Sequence, residues 1–207
     1  GDQVQIVSLV TAPDAQWQFS GETRRGLLRH CFTLTPGQEL VVEKRTMVST
    51  SRDLEPGDPI AQLQALETMD YDQLFTEHAE VWRKRWERSA VVIEGNQRDA
   101  EAMRIAVYHL LRCHVPKDDR VAIDAKGYAG DAYFGRFFWD TEMYMLPFYI
   151  YTDPERARTL VDFRVRTLPG ARENARQYGY SGARYGWESD DCGRECCPSW
   201  QYRDHEV

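Results

Sequence analysis

A chain of 207 residues is long enough to bury a proper hydrophobic core, as one large domain or two small ones. With 42% hydrophobic and 29% charged residues, and no apolar run near the roughly 20 residues of a membrane span, the composition is that of a soluble globular protein and excludes a transmembrane one. A net charge of −7, with Lys and Arg scattered rather than blocked, lacks the basic footprint of a nucleic-acid binder.

In chain order, residues 1 to 50 are predicted to be β-structure. "VQIVSLV", "WQFSGE" and "HCFTLTPGQELVVEKRTMVST" combine β-branched and aromatic residues, with a turn signal at Pro36-Gly37. "SRDLEPGDP" is a charged break bearing Pro and Gly, after which the composition turns helical. "YDQLFTEHAEVWRKRWERS" spaces Leu74, His78, Val81 or Trp82, and Trp86 as an amphipathic helix, and two tryptophans one turn apart imply a large burial. A strand-like "AVVIEG" precedes a second helix, "NQRDAEAMRIAVYHLLRCH", with Ala100, Met103, Ala106 or Val107, and Leu110 on one face. Residues 115 to 138 read as loop, Gly127, Gly130 and Gly135 being interleaved with Tyr128, Tyr133 and Phe134.

A helix is expected from Asp140, kinked at Pro147 and stopping before Asp153, which with Pro154 forms an N-cap and first-turn pair for the next. That helix sets Ala157, Leu160, Val161, Val165 and Leu168 on one face and ends at Pro169-Gly170; a short one, "ARENARQY", closes at Gly179. An all-α part built from helical hairpins follows from this pattern.

Five cysteines favour a reducing compartment, and "DCGRECCPSW" lacks the CxxC spacing of structural zinc sites, so no metal is expected. His30, His78, His109, His114 and His205 show no ligand spacing. The start has no signal-peptide layout, which points to the cytoplasm.

Two stretches carry the functional question. "GRFFWDTEMYMLPFYIYTDPE" places Asp140 and Glu142 in one of the most aromatic runs of the chain, although burying a carboxylate costs several kcal/mol unless it is paired. Asp140 either caps the following helix or serves a ligand. "YGWESDD" again sets a carboxylate beside a tryptophan. An aromatic face packs the C–H surface of a sugar ring while a carboxylate accepts hydrogen bonds from its hydroxyls, so Trp139-Asp140 and Trp187-Glu188 together suggest a carbohydrate pocket.

On "FWDTE", "LPGARENA" and "WES", in that order within residues 125 to 195, the chain resembles glycoside hydrolase family 65, the maltose, trehalose and kojibiose phosphorylases and their relatives. "HAEVWRKRWERSAVVIEG" resembles the family's linker helix, and the likeness covers some two thirds of the chain, from about residue 70 onward. The resemblance implies a mainly α protein with a β N-terminal part. Residues 1–55 would be the last strands of a β-sandwich, 56–94 a helical linker, and 95–207 the first helices of an incomplete (α/α)6 toroid. A fragment of a longer enzyme is thus expected, with the catalytic general acid and the phosphate-binding loop beyond Val207.

The implied reaction is inverting cleavage of an α-linked disaccharide or glucoside by phosphate to β-glucose 1-phosphate, with inorganic phosphate as co-substrate and no cofactor. Trp139, Asp140, Trp187 and Glu188 would bind the glucosyl unit, Glu142 would support them, and Arg172 and Glu173 would be structural. A homodimer is an expectation for the full-length protein. Alternatives are a hydrolase of the same fold and a non-catalytic carbohydrate-binding fragment. Arg136, where the family is expected to have histidine, and "CGRECCP" depart from its pattern and put specificity in question.

Overall fold

The computed structural model describes residues 3–198 except 24, 54, 56, 115 and 128–131, so Tyr128, Gly130 and His205 lie outside the described residues. The chain divides into two compact units, Gly1–His78 and Ala79–Val207. It is mixed, mostly helical with small antiparallel sheets.

In the first unit, β1 (Val4–Thr11) pairs antiparallel with β4 (Glu43–Thr50), Ile6 standing opposite Val48. β2 (Gln18–Glu22) and β3 (Arg25–Arg29) form a hairpin with Gly21 opposite Gly26. The turn expected at Pro36-Gly37 forms, the Thr35 carbonyl accepting the Gln38 amide with Gly37 at φ +85°, but residues 30–42 around it form no strand and β4 begins at Glu43. α1 (Pro59–Ala65) starts where the Asp58 carboxylate accepts from the Ile60 amide at 3.0 Å, and it buries Leu63. α2 (Tyr71–Ser89) contains the division between the units.

The second unit holds the core. After α2, "AVVIEG" forms no strand, and Val92 is 81% exposed. α3 (Gln97–Arg112) is capped by Asn96 and buries Val107 and Leu111. β5 (Phe137–Phe138) leads through Trp139 and Asp140 into a π-helical turn, Thr141–Met145, and then α4 (Leu146–Thr152). Asp153 caps α5 (Pro154–Arg166), accepting from the Arg156 amide at 3.2 Å, as its sequence predicts. α6 (Leu168–Gln177) begins earlier than expected: Pro169 sits in its first turn, where a missing N–H costs nothing. β6 (Glu188–Ser189) completes the unit.

Ile123, Phe137, Tyr149, Leu160 and Phe163 form its apolar centre. α5 turns Ala157, Leu160 and Phe163 inward, whereas Val161 and Val165, expected on the buried face, are exposed. Trp82 and Trp86 are half-buried and His78 is exposed, less burial than their spacing suggests. No helix among the described residues is long and apolar enough to cross a membrane.

Candidate functional site

The two tryptophan-carboxylate pairs, distant in sequence, are joined by a two-rung ribbon. Phe137 pairs with Ser189 and Phe138 with Glu188, antiparallel. Continuing that register sets Trp139 opposite Trp187, and their rings meet edge to face with centroids 5.4 Å apart. Phe137 and Phe138 are buried beneath, with Phe137 against Phe163 at 5.0 Å, while Trp139 and Trp187 are 42% and 46% exposed. The ribbon thus anchors its apolar rungs in the core and presents two indoles at its end.

Asp140 follows Trp139 with φ −51° and ψ −37°, already helical, and its side chain makes no cap hydrogen bond. A residue in that conformation lacks the extended backbone that aims an N-cap oxygen at the next turn. The capping alternative for Asp140 therefore fails. Neither its carboxylate nor that of Glu188 has a hydrogen bond or ion pair to another described residue, and both are half-buried. Acceptors so placed beside exposed aromatic surface can take hydroxyl donors from a ligand.

Glu142 is different. Arg164 of α5 grips it with two parallel hydrogen bonds, Nε to Oε1 at 2.8 Å and Nη2 to Oε2 at 2.7 Å. The same Nη2 donates to the Phe138 carbonyl at 3.3 Å, and the Arg164 carbonyl accepts from the Tyr185 hydroxyl at 2.8 Å. Arg164 thereby fastens β5, the π turn and the segment before Trp187 to one helix. The π turn opens where Thr141, 1% exposed, donates its hydroxyl to the Ile123 carbonyl. Single π turns inside helices are frequent at functional sites. Trp139, Glu142, Met143, Arg164 and Tyr185 line a cavity of about 240 Å³ beside it.

The other half of the site hangs on α6. Asn174, 2% exposed, donates Nδ2 to the Gly193 carbonyl at 2.9 Å and the Arg184 carbonyl at 3.2 Å, and accepts from the Glu195 amide at 3.2 Å. A Cβ at Gly170 would collide with the Cys192 carbonyl, so glycine is what lets the loop lie on the helix. The Cys196 amide donates to the Glu188 carbonyl at 2.7 Å, and Arg136 Nη1 reaches the Cys196 thiol at 2.7 Å. The two departures, Arg136 and the cysteine-rich segment, are thus in contact. Arg172 and Glu173 are exposed, and Glu173 pairs with Arg176 rather than with its neighbour.

Arg164 and Asn174 are the residues that the sequence reading missed. "LPGARENA" pointed at the stretch holding Asn174 but not at the residue; nothing local marks Arg164. All five cysteines are free thiols, and burial raises the pKa of Cys192, Cys196 and Cys197. Asp190, Asp191 and Cys192 stand close together, but Asp190 Oδ1 already accepts from the Cys192 and Arg194 amides at 2.9 Å each, which is a turn-forming role.

Residues 8–85 match the glycosyl hydrolase family 65 N-terminal domain, and residues 104–206 match that family's central catalytic domain. The chain belongs to glycosyl hydrolase family 65. It is 41% identical over 198 residues to a kojibiose phosphorylase of Halothermothrix orenii, covering 89% of this chain and 25% of that one. It is 43% identical over 135 residues to a nigerose phosphorylase of Lachnoclostridium phytofermentans, covering 65% of this chain and 18% of the relative. A solved structure named as a candidate kojibiose phosphorylase from the human microbiome superposes with a TM-score of 0.81 at 22% identity, over 96% of this chain and 27% of the other, and so shares its fold. The chain spans 18% to 27% of the length of these relatives.

Proposed function

We propose that this chain supplies the glucosyl-binding wall of an inverting α-glucoside phosphorylase. The observation that carries the reading is the β5–β6 pairing, which brings Trp139 and Asp140 beside Trp187 and Glu188, both carboxylates having no hydrogen bond or ion pair to a described residue. The relatives' names, phosphorylases of kojibiose and nigerose, favour an α-linked glucose disaccharide and phosphorolysis over hydrolysis.

In this reading the indoles pack the C–H surface of the glucosyl ring, and Asp140 and Glu188 accept from its hydroxyls. Their ring-holding sets the anomeric carbon for in-line attack, which is a positioning contribution. A carboxylic acid protonates the departing glycosidic oxygen while phosphate attacks from the opposite face, giving β-glucose 1-phosphate. That acid and the phosphate loop are assigned to sequence outside these 207 residues. The same proposal assigns residues 1–55 to a β-sandwich, 56–94 to a linker and 95–207 to an (α/α)6 toroid, in a cytoplasmic homodimer.

The test is turnover in a protein of the relatives' length that carries this sequence. Kojibiose, nigerose, maltose and trehalose are each offered with and without phosphate, and products are followed by NMR. Phosphate-dependent β-glucose 1-phosphate supports the reading; glucose release independent of phosphate assigns a hydrolase, and no reaction on any α-glucoside rejects both.

A further inference from the structure

A cavity of about 250 Å³ lies between the end of α2, the segment after α3 and the start of α5. It belongs to the second unit alone and shares no residue with the ribbon site. Its lining is unusual in charge: Lys84, Arg85, Arg88, Lys117 and Arg156 face only Asp153 and Glu155.

The two acids do not neutralise that set. Asp153 Oδ1 is taken by the Arg156 amide as the α5 cap, and Oδ2 stands 3.3 Å from Arg156 Nε. Glu155 is exposed on the rim. Lys84 reaches Glu80 at 3.4 Å, whereas Arg88 and Lys117 have no ion pair to a described residue. Arg85 lies over Trp82 at 5.3 Å; burial first, and the charge of Arg156 second, lower its pKa. Five cations thus line the cavity against two acids, and Arg88 and Lys117 have no ion pair to a described residue.

Two buried groups turn the patch into a site. Arg156 is 3% exposed, its Nη1 fixed on the Leu111 carbonyl at 2.9 Å, so its guanidinium is held in place. Ser89, at the last position of α2, is 5% exposed and lines the cavity, and its hydroxyl makes no hydrogen bond to a described residue. A hydroxyl facing the cavity with its donor and acceptor capacity open can bond a ligand oxygen. The start of α5 adds the positive end of its dipole.

We propose that this cavity binds a tetrahedral oxyanion, the phosphoryl group shared by inorganic phosphate and small phosphate monoesters. Ser89 and Arg156 hold its inner oxygens, while Arg88 and Lys117 close over the outer ones. The cavity is larger than a phosphoryl group alone, which leaves space for the organic part of an ester. The proposal does not depend on the glucoside reading.

The test titrates the 207-residue chain with inorganic phosphate, with glycerol 3-phosphate and with glycerol as the uncharged control, by calorimetry at constant ionic strength. The expected result is saturable binding of a phosphate-bearing probe at one site per chain, absent for glycerol. Binding is expected to weaken at least about tenfold in Ser89→Ala and to vanish in the double variant Arg88→Glu with Lys117→Glu. Both basic residues are exposed, so the double variant should keep the wild-type melting curve. Asp140→Ala should bind as wild type does, which separates this site from the ribbon. A preference for glycerol 3-phosphate names an ester as the ligand, and equal affinity names the free anion. No saturable binding at millimolar probe, or binding that survives the double variant, overturns the proposal.

Discussion

Trp139 and Trp187 meet at 5.4 Å with their ring planes at 74°, at the end of a ribbon only two residues long on each strand. That contact makes the two sequence motifs one surface. A double-mutant cycle measures it: Trp139→Ala and Trp187→Ala should couple by about 1 kcal/mol in denaturant stability. Additivity within about 0.3 kcal/mol would mean that the rings meet without supporting each other.

The Glu142–Arg164 pair predicts an asymmetry. Arg164 is 12% exposed and Glu142 28%, so removing the acid strands the more buried charge. Glu142→Ala should cost about 3 kcal/mol and exceed Arg164→Ala, whose orphaned carboxylate can reach water. Equal losses in chemical denaturation would contradict this.

Asn174 predicts a chemical distinction at constant shape. Asn174→Asp removes the donor facing the Gly193 and Arg184 carbonyls and buries a carboxylate against them. It should destabilise by about 2 kcal/mol or more, at least as much as Asn174→Ala, and raise the mobility of Trp187 in fluorescence anisotropy. A milder effect for Asp than for Ala would show that these bonds do not hold the loop.

His114 predicts an acid limit. It is 4% exposed, and neither ring nitrogen has a hydrogen-bond partner among the described residues; burial first, and Arg156 second, push its pKa from 6.5 down to about 4, against the pull of Asp118 and Asp153. Its folded-state value lies below the unfolded one, so between those values the unfolded chain binds a proton that the folded chain refuses. Stability from this group is therefore complete above about pH 6.5 and falls as pH drops toward 4, by up to about 3 kcal/mol. His114→Gln should flatten that part of the profile; an unchanged slope would place the titration elsewhere.

What was legible in the sequence was local. Asp153-Pro154 announced the start of α5, and the two tryptophans beside acids stand together in the fold. Pairing was not legible: Phe137–Phe138 and Glu188–Ser189 are too short for any periodicity, and "AVVIEG" has strand composition but no partner strand. The inward face of α5 was misread because Val161 and Val165 look like core by composition, while the packed layer takes Phe163 and the stem of Arg156. Whether Asp140 capped a helix turned on its backbone angles, which composition does not carry. The grip of Arg164 on Glu142 joins two elements that meet only in the folded unit.

The proposed sugar wall depends on Asp140 and Glu188. The most direct measurement is kcat/KM for phosphorolysis of the preferred disaccharide in a protein of the relatives' length, for Asp140→Asn, Glu188→Gln and the double variant, with melting curves alongside. Neither carboxylate has a hydrogen bond or ion pair to a described residue to lose, so stability should change by no more than about 0.5 kcal/mol, while each single variant loses about 100-fold in kcat/KM. Wild-type kcat/KM in both variants, with phosphorolysis otherwise established, would remove these residues from the site and contradict the sugar wall.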